Sequence, residues 1–180
     1  MKKIALLMLV ALPVLTLIGQ EVKKVQEPEY IGIVFSLDST GTLIPLERQQ
    51  ANYQTKEKGL GYGGVQTSSF FKGSKSSVRF KAGQDIQFVV RPSSTAIEPD
   101  TIVKLHVLKV TKNQRLIVLA KTDAMGYGSK STAGQSLLAL NFARYGAVSL
   151  KFSPATPLNP GEYVITAGGQ TGFLFGIDPQ

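Results

Sequence analysis

The chain has 180 residues, with 20 Lys and Arg against 12 Asp and Glu, no Cys, no Trp and a single His, for a net charge of +8. Without Cys it has no disulfides, no Cys-ligated zinc and no iron–sulfur cluster, and one His cannot supply a two-His metal site. Charged residues make up 18% of the chain and hydrophobic residues 43%, which argues against a disordered tail. We expect one globular domain with neither a metal nor another cofactor.

The N-terminus has the pattern of an export signal. Lys2 and Lys3 precede an apolar run over residues 4–18, which is short for a membrane span and typical of a signal-peptide core. Small Gly19 predicts cleavage before Gln20, and because no Cys follows the cut, a lipoprotein is excluded. We expect a signal peptide at 1–19 and a secreted or periplasmic protein with no membrane span afterwards, although an uncleaved N-terminal anchor stays open.

Removal of residues 1–19 would take away two lysines and no acidic residue, lowering the net charge from +8 to +6. The polar residues 20–29 are predicted to form an arm or linker, and residues 30–180 the folded domain. A domain of this size buries enough surface to be stable without cross-links.

Apolar residues alternate through most of residues 30–180, which indicates strands. Ile31, Ile33, Phe35 and Leu37 share one face of a strand, and Gly32, Val34 and Ser36 share the other. The turn residues 38–41 then predict a hairpin returning over 42–46. Further strands are expected around residues 78–81, 86–90, 102–110 and 115–121, the last two joined by a polar turn at 112–114.

The last third continues this alternation, with strands expected around residues 138–142, 148–152, 163–167 and 173–177. Short strands separated by Gly, Pro and Asn predict an all-β, antiparallel, immunoglobulin-like sandwich of about nine or ten strands. The segment Leu158–Tyr163 places a Pro-Gly turn before a strand whose first inward residue is Tyr163. This pattern is typical of a tyrosine corner, in which the hydroxyl bonds backward to the main chain. We therefore assign Tyr163 a structural role.

Several of these segments together resemble a group of uncharacterised secreted bacterial proteins. The segments are Tyr30–Phe35, Leu43–Glu47, Val78–Gly83, Leu158–Tyr163 and the final Phe173–Asp178. The resemblance covers most of the chain after the signal. It implies export and a β-sandwich, and it carries over no activity and no site residues.

The chain contains partial matches to catalytic and nucleotide-binding motifs, but most of them lack the flanking elements that these motifs require. Glycines 59, 61 and 64 match the dinucleotide fingerprint, but charged residues precede them and a strand-like segment follows, whereas the fingerprint requires a strand and then a helix. Ser69 and Lys72 have the spacing of Ser-x-x-Lys acyl enzymes without the other elements these need. Glu98 and Asp100 flank Pro99 and are interpreted as a solvated turn rather than a calcium site.

His106 is the one candidate for a general base at neutral pH. Alternation places it beside Lys104, on the face opposite Val103 and Leu105. A Ser-His-Asp unit could still be assembled in space, but no Ser lies in a nucleophile-elbow context. We expect a structural His106 and no catalytic residue.

Basic residues cluster at Lys72–Lys81 and along 104–115, but they alternate with apolar residues as the solvent face of a strand requires. No aromatic stacking platform accompanies them, so we expect no nucleic-acid partner. Two Gly-Tyr-Gly segments, centred on Tyr62 and Tyr127, place an aromatic ring among small residues, the second within a long irregular stretch. Exposed loop tyrosines can bind sugars or protein surfaces, so Tyr62 and Tyr127 are the candidate ligand-binding residues.

Together these features predict an exported protein of the bacterial cell envelope that is not an enzyme and acts as a binding or structural β-sandwich module. Its partner would be an envelope protein or a polysaccharide. Two alternatives remain open. One is a carbohydrate-binding or small hydrolase domain using the loops near Tyr62 and Tyr127, and the other is a self-assembling surface subunit in which the 20–29 arm adds a strand to a neighbour.

Overall fold

The computed structural model describes residues 25–57, 64–122 and 129–180, and nearly all of their regular structure is strand. The strands in the first half are β1 (Val34–Leu37), β2 (Leu43–Pro45), β3 (Glu47–Gln50), β4 (Asn52–Glu57), β5 (Val65–Lys72), β6 (Arg79–Lys81) and β7 (Gln87–Val90). After the short helix α1 (Pro99–Ile102) come β8 (Val103–Val110), β9 (Gln114–Thr122), β10 (Ser129–Ser131), a 3₁₀ turn (Ala133–Ser136), β11 (Leu137–Leu138), β12 (Leu140–Tyr145), β13 (Ser149–Pro154), β14 (Gly161–Ala167) and β15 (Thr171–Asp178).

The strands form two sheets. The five-stranded sheet has the order β12-β13-β7-β1-β2, with every neighbouring pair antiparallel. The ten-stranded sheet has the order β3-β15-β14-β8-β9-β5-β4, with β10 beside β9, β11 beside β8 and β6 beside β15 in the parallel sense. The predicted all-β antiparallel sandwich of the immunoglobulin-like kind is confirmed, with more strands than the expected nine or ten because several edge strands are only two to four residues long.

The main core lies between the two sheets and is rich in aromatic rings. Phe88 of the small sheet is fully buried, and its ring centre lies 5.4 Å from that of Phe152 and 5.1 Å from that of Phe175 in the large sheet. Tyr163 stacks on Phe175 at 5.4 Å. Such aromatic packing joins the two sheets through large apolar surfaces.

A second, smaller core lies on the opposite face of β14 and β15. Its buried members come from β5, β8, β9, β14 and β15: Phe71, Leu108, Ile117, Val164 and Leu174. The Phe71 ring lies so close to Gly172 that a Cβ there would overlap it. Strands β5 and β9 therefore pack over the outer face of β14 and β15, which gives the large sheet a covered outer surface.

The strands with alternating apolar residues were predictable, and several polar strands were not. The hairpin forms around the predicted turn, with Phe35 opposite Pro45, but its buried side chains are Val34 and Ser36, while Ile31 is 57% exposed. Strands β3 and β4 read Glu-Arg-Gln-Gln and Asn-Tyr-Gln-Thr-Lys-Glu, and so carry no apolar face for alternation to reveal. Their pairing is set by β15 and β5 instead.

The tyrosine corner is confirmed. The Tyr163 hydroxyl donates a hydrogen bond to the Asn159 carbonyl oxygen at 2.7 Å, while its ring lies 3% exposed in the main core. Burial raises the pKa of the Tyr163 phenol, so the hydroxyl remains a donor at physiological pH. Tyr163 accordingly has the structural role predicted for it.

The residues that precede β1 lie against the sandwich. Glu27 accepts hydrogen bonds from the backbone N–H groups of Ala147 at 2.8 Å and Val148 at 3.0 Å, which lowers the pKa of its carboxyl. Pro28 is buried, and the guanidinium of Arg91 donates to the Glu29 carbonyl oxygen. The Gln26 side chain also accepts a hydrogen bond from the Leu43 N–H, so the part of the predicted 20–29 arm from Gln26 onward follows the domain surface.

Candidate functional site

The most concentrated charges in the described residues form a network beside the second core. Arg115 of β9 is fully buried and donates to Glu47 of β3 at 2.7 Å, and it lies 3.5 Å from Glu162 of β14. Arg79 of β6 also contacts Glu162 and forms a two-pronged contact with Asp178 of β15, at 2.7 and 3.2 Å. We call these five residues the charge network.

The charge network fixes the segment between β5 and β6. Arg115 donates to the carbonyl oxygens of Lys72 at 2.9 Å and Gly73 at 3.2 Å. From the other end of the segment, the N–H of Ser76 donates to Glu162 and that of Ser77 to Glu47. Because its donors and acceptors are used in this way, the network acts as a clamp on residues 72–79.

The ionisation of these groups agrees with a structural clamp. Burial of Glu47 opposes its ionisation, but hydrogen bonds from Arg115, Ser76 and Ser77 outweigh burial and lower its pKa to about 2. Hydrogen bonding to Arg79 lowers the pKa of Asp178, and the same contact raises that of Arg79. A carboxylate held ionised in this way is poorly suited to exchange protons near neutral pH.

Sequence reasoning missed this network. It interpreted Arg79 and Arg115 as part of a solvated basic surface, whereas Arg115 is buried and Arg79 is paired with two acids. One signal was available. Arg115 directly precedes an unbroken apolar run over residues 116–120, and a strand that is apolar on both faces is typical of one buried on both.

His106 lies beside a serine. Its Nδ1 is 3.0 Å from the hydroxyl of Ser136, which ends the 3₁₀ turn. Burial, with a smaller contribution from the nearby Lys104 cation, lowers the pKa of the imidazole, so the ring is neutral at physiological pH. The predicted placement beside Lys104 agrees with this neighbour.

A neutral imidazole against a hydroxyl is the first half of a nucleophile–base pair. In Ser-His-Asp units, however, a carboxylate stabilises the imidazolium that forms. The charge that acts on His106 is instead the Lys104 cation, which disfavours an imidazolium. Three clefts lie at the surface of the described residues, and neither His106 nor Ser136 lines any of them. The contact joins the end of the 3₁₀ turn to β8.

The roomiest of these clefts, about 400 Å³, lies where the chain crosses from the large sheet to the small one. Strand β11 pairs with β8 in the large sheet, and two residues later β12 begins in the small sheet. We call this cleft the seam groove; its apolar lining includes Val103, Leu137, Leu138, Leu140 and Phe142, and its charged lining residues are Asp100 and Lys104.

Strand β12 borders the seam groove and is an edge strand. It pairs with β13 on one side, and in the described part of the chain no strand pairs with its other side. Unpaired backbone N–H and C=O groups at such an edge can accept an added strand. The six residues of β12 include one charged side chain, Arg144, and neither Pro nor Lys.

Other edge strands carry features that hinder the addition of a further strand. Strand β2 is three residues long and ends with Pro45, and β4 carries Lys56 and Glu57. Strand β3, at the other end of the large sheet, carries Glu47 and Arg48. Since short length, Pro and charge are the usual obstacles to edge pairing, β12 is the least obstructed of these edges.

Two further clefts, of about 230 Å³ each, are smaller than the seam groove. One is lined by the turn before β7 and by residues 153–158 after β13, without an aromatic ring. The other lies on the outer face of β12 and β13, beside Asn141, Ala143 and Lys151. Across the described ranges, no three His, Cys, Asp or Glu side chains are grouped so as to hold a metal ion.

The candidate residues Tyr62 and Tyr127 lie outside the described residues. The strands that flank them are described, and their ends lie in one row. Glu57 pairs with Val65, Val65 with Thr122, and Thr122 with Ser129. The described residues that flank 58–63 and 123–128 therefore lie on neighbouring strands at one end of the sheet.

No helix in the described portion combines the length and hydrophobicity needed to cross a bilayer. No protein-family model, no curated protein and no solved structure matches this chain.

Proposed function

We propose that the protein is an exported binding module of the bacterial cell envelope, without enzymatic activity, that holds a protein partner by strand addition at β12. The pattern of residues 1–19 supports export. The observation that carries the binding proposal is the coincidence of an open strand edge with an apolar groove. Strand addition uses these two features together, with backbone bonds providing affinity and side-chain pockets providing specificity.

The chemistry of the site defines the partner. Leu140 and Phe142 lie on the same side of β12 and line the seam groove, so an added strand would place every second side chain beside this apolar surface. The partner segment is therefore extended, free of proline, and apolar at alternate positions. Lys104 and Arg144 nearby disfavour lysine or arginine at the centre of that segment.

The test uses a fluorescein-labelled peptide of alternating valine and threonine, and the same peptide with a central proline. Fluorescence anisotropy should show that the protein binds the first peptide and not the second. Phe142→Lys should abolish binding, while Tyr53→Lys, on the edge strand β4 at a site 59% exposed, should leave it unchanged. Equal binding by both variants, or by the proline peptide, would refute strand addition at β12.

A second candidate function is favoured by the row of strand ends described above. The strand ends that flank both Gly-Tyr-Gly segments lie at one end of the sheet, which supports a carbohydrate-binding surface that includes Tyr62 and Tyr127. The double variant Tyr62→Ala, Tyr127→Ala should then lose binding on an array of envelope polysaccharides that the parent protein binds. Unchanged binding would remove these two residues from consideration.

A further inference from the structure

The open edge of β12 is complementary to itself. We infer that the added strand is β12 of a second copy, paired antiparallel about a twofold axis at Phe142, so that the small sheet becomes continuous across a dimer. This inference rests on strand addition at β12 and names the partner. A twofold axis makes the same patch serve both copies, which is the commonest geometry of homodimers.

Two registers bring side chains of the same face opposite one another at the centre of β12. A register centred on Phe142 places Phe142 against Phe142 and Leu140 against Arg144 of the second copy. A register centred on Ala143 places Phe142 against Arg144 and leaves Leu140 without an opposite residue. The first register pairs the two aromatic rings and covers more apolar surface.

Charge also favours the register centred on Phe142. It separates the two Arg144 residues by four strand positions, a distance of about 14 Å, at which like charges are largely screened in physiological salt. It also brings each Arg144 over Leu140 of the other copy. Leu140 lines the same groove as Lys104 and the exposed carboxylate of Asp100, so each arginine meets one cation and one carboxylate whose charges offset each other.

The aliphatic part of Arg144 would cover Leu140 while its guanidinium reaches the acidic side of the groove. Leu137, which is 41% exposed at this groove, would gain a neighbour from the second copy. A pair of six-residue strands with one flanking groove forms a small interface, so the dimer should dissociate on dilution.

Because the natural chain has no Cys, cysteine cross-linking can read the register directly. Under mild oxidation at high protein concentration, Phe142→Cys should form a disulfide-linked dimer, since directly opposed residues lie within disulfide reach. Asn141→Cys and Ala143→Cys should each cross-link poorly alone but rapidly when mixed, because 141 opposes 143 of the other copy. These two sites have exposed side chains, so they keep the test valid if Phe142→Cys folds poorly.

Tyr53→Cys on the other exposed edge measures cross-linking by random collision. If Phe142→Cys and the mixed 141/143 pair cross-link no faster than Tyr53→Cys, the dimer inference is overturned. A charge exchange gives an independent reading by sedimentation velocity. Arg144→Asp should abolish the dimer, and Arg144→Asp combined with Asp100→Arg should restore it; failure to restore it would contradict the predicted contact.

Failure of the dimer and failure of strand addition give different results. A chain that stays monomeric at every concentration but still binds the alternating valine–threonine peptide would overturn the second copy as partner and leave strand addition at β12 intact. A chain that neither dimerises nor binds the peptide would overturn both.

Discussion

Arg115 is the residue on which the packing of β5 and β9 against the outer face of β14 and β15 depends most. Its fully buried guanidinium binds two carboxylates and two backbone carbonyl oxygens. Removing one partner of a buried charge cluster leaves the others uncompensated, which is far more costly than losing a surface ion pair. Without Arg115, the carboxylates of Glu47 and Glu162 would lose their buried cation, and the segment that they bind would be destabilised.

Arg115→Met should lower the free energy of unfolding by about 3–5 kcal/mol, because Glu162 and Glu47 would lose their buried cation. Lys109→Met, at an exposed position one strand away, is the matched control and should change stability by no more than about 0.5 kcal/mol. Urea denaturation of both variants measures the difference. Equal, small effects would mean that the charge network does not clamp the fold.

Glu47 gives the clamp a pH dependence. Its pKa is about 2 in the folded protein and near 4.5 when unfolded, so the unfolded chain binds the proton first as pH falls. The stability that Glu47 contributes is thus fully present above about pH 5 and lost as pH falls towards 2. Because its side chain is 16% exposed, solvent screening limits this contribution to about 1–2 kcal/mol.

The measurement is the denaturation midpoint of the natural chain and of Glu47→Gln between pH 6 and 2, a range of about four pH units that covers the expected transition. The variant should be less stable at pH 6 and should lose less stability on acidification, so that the two curves converge. Parallel curves would show that Glu47 is not held ionised by Arg115.

Among the elements, β15 approaches the charge network closely only because it has a glycine, Gly176, at that point. Gly176 of β15 lies opposite Arg79 of β6, and a Cβ at this position would overlap the Arg79 guanidinium. Gly176→Ala should push Arg79 away from Glu162 and Asp178 and destabilise the fold by about 1–3 kcal/mol. Thermal unfolding should show the loss, with Gly134→Ala, which has open space around its position, as the matched control.

If Gly176→Ala is as stable as Gly134→Ala, the tight approach of β6 to β15 is not required. The parallel β6–β15 pair is short, at three residues, and side-chain contacts must hold it in place. The ion pairs of Arg79 therefore hold β6 against β15, and β6 in turn supplies Arg79 to the charge network.

The elements also explain what could be predicted from the sequence. Strands with apolar residues at every second position were recognisable because one face is buried in the main core. Strand β15, with Phe173, Phe175 and Ile177 on that face, is an example. The tyrosine corner was recognisable because its turn and its ring are adjacent in sequence. Each of these signals is local.

The missed features depend on residues distant in sequence. The charge network joins Glu47, Arg79, Arg115 and Glu162, which lie on four different strands, so no spacing reveals it. The edge position of β12 is a property of the strand order, and the same alternating pattern would fit a central strand. The His106–Ser136 contact likewise requires the 3₁₀ turn to return to β8.

For the whole molecule, export is the first expectation to test. Residues 1–25 fused to a reporter that is active only after export should give activity, because Lys2 and Lys3 precede an apolar run of signal-peptide length. Replacing Leu6 and Leu9 with Asp should abolish it, since charges interrupt that run. The mass of the exported protein should match a chain beginning at Gln20. Reporter activity unaffected by the substitutions would argue against a signal at 1–19.

The central claim, that β12 is the binding edge of the sandwich, is tested most directly by amide hydrogen exchange with and without the alternating valine–threonine peptide. Added backbone bonds slow exchange at the strand that receives them. The peptide should protect amides within Leu140–Tyr145 and leave those of Asn52–Glu57 on the other edge unchanged. Protection at β4 alone, or no protection anywhere at a saturating peptide concentration, would contradict the claim.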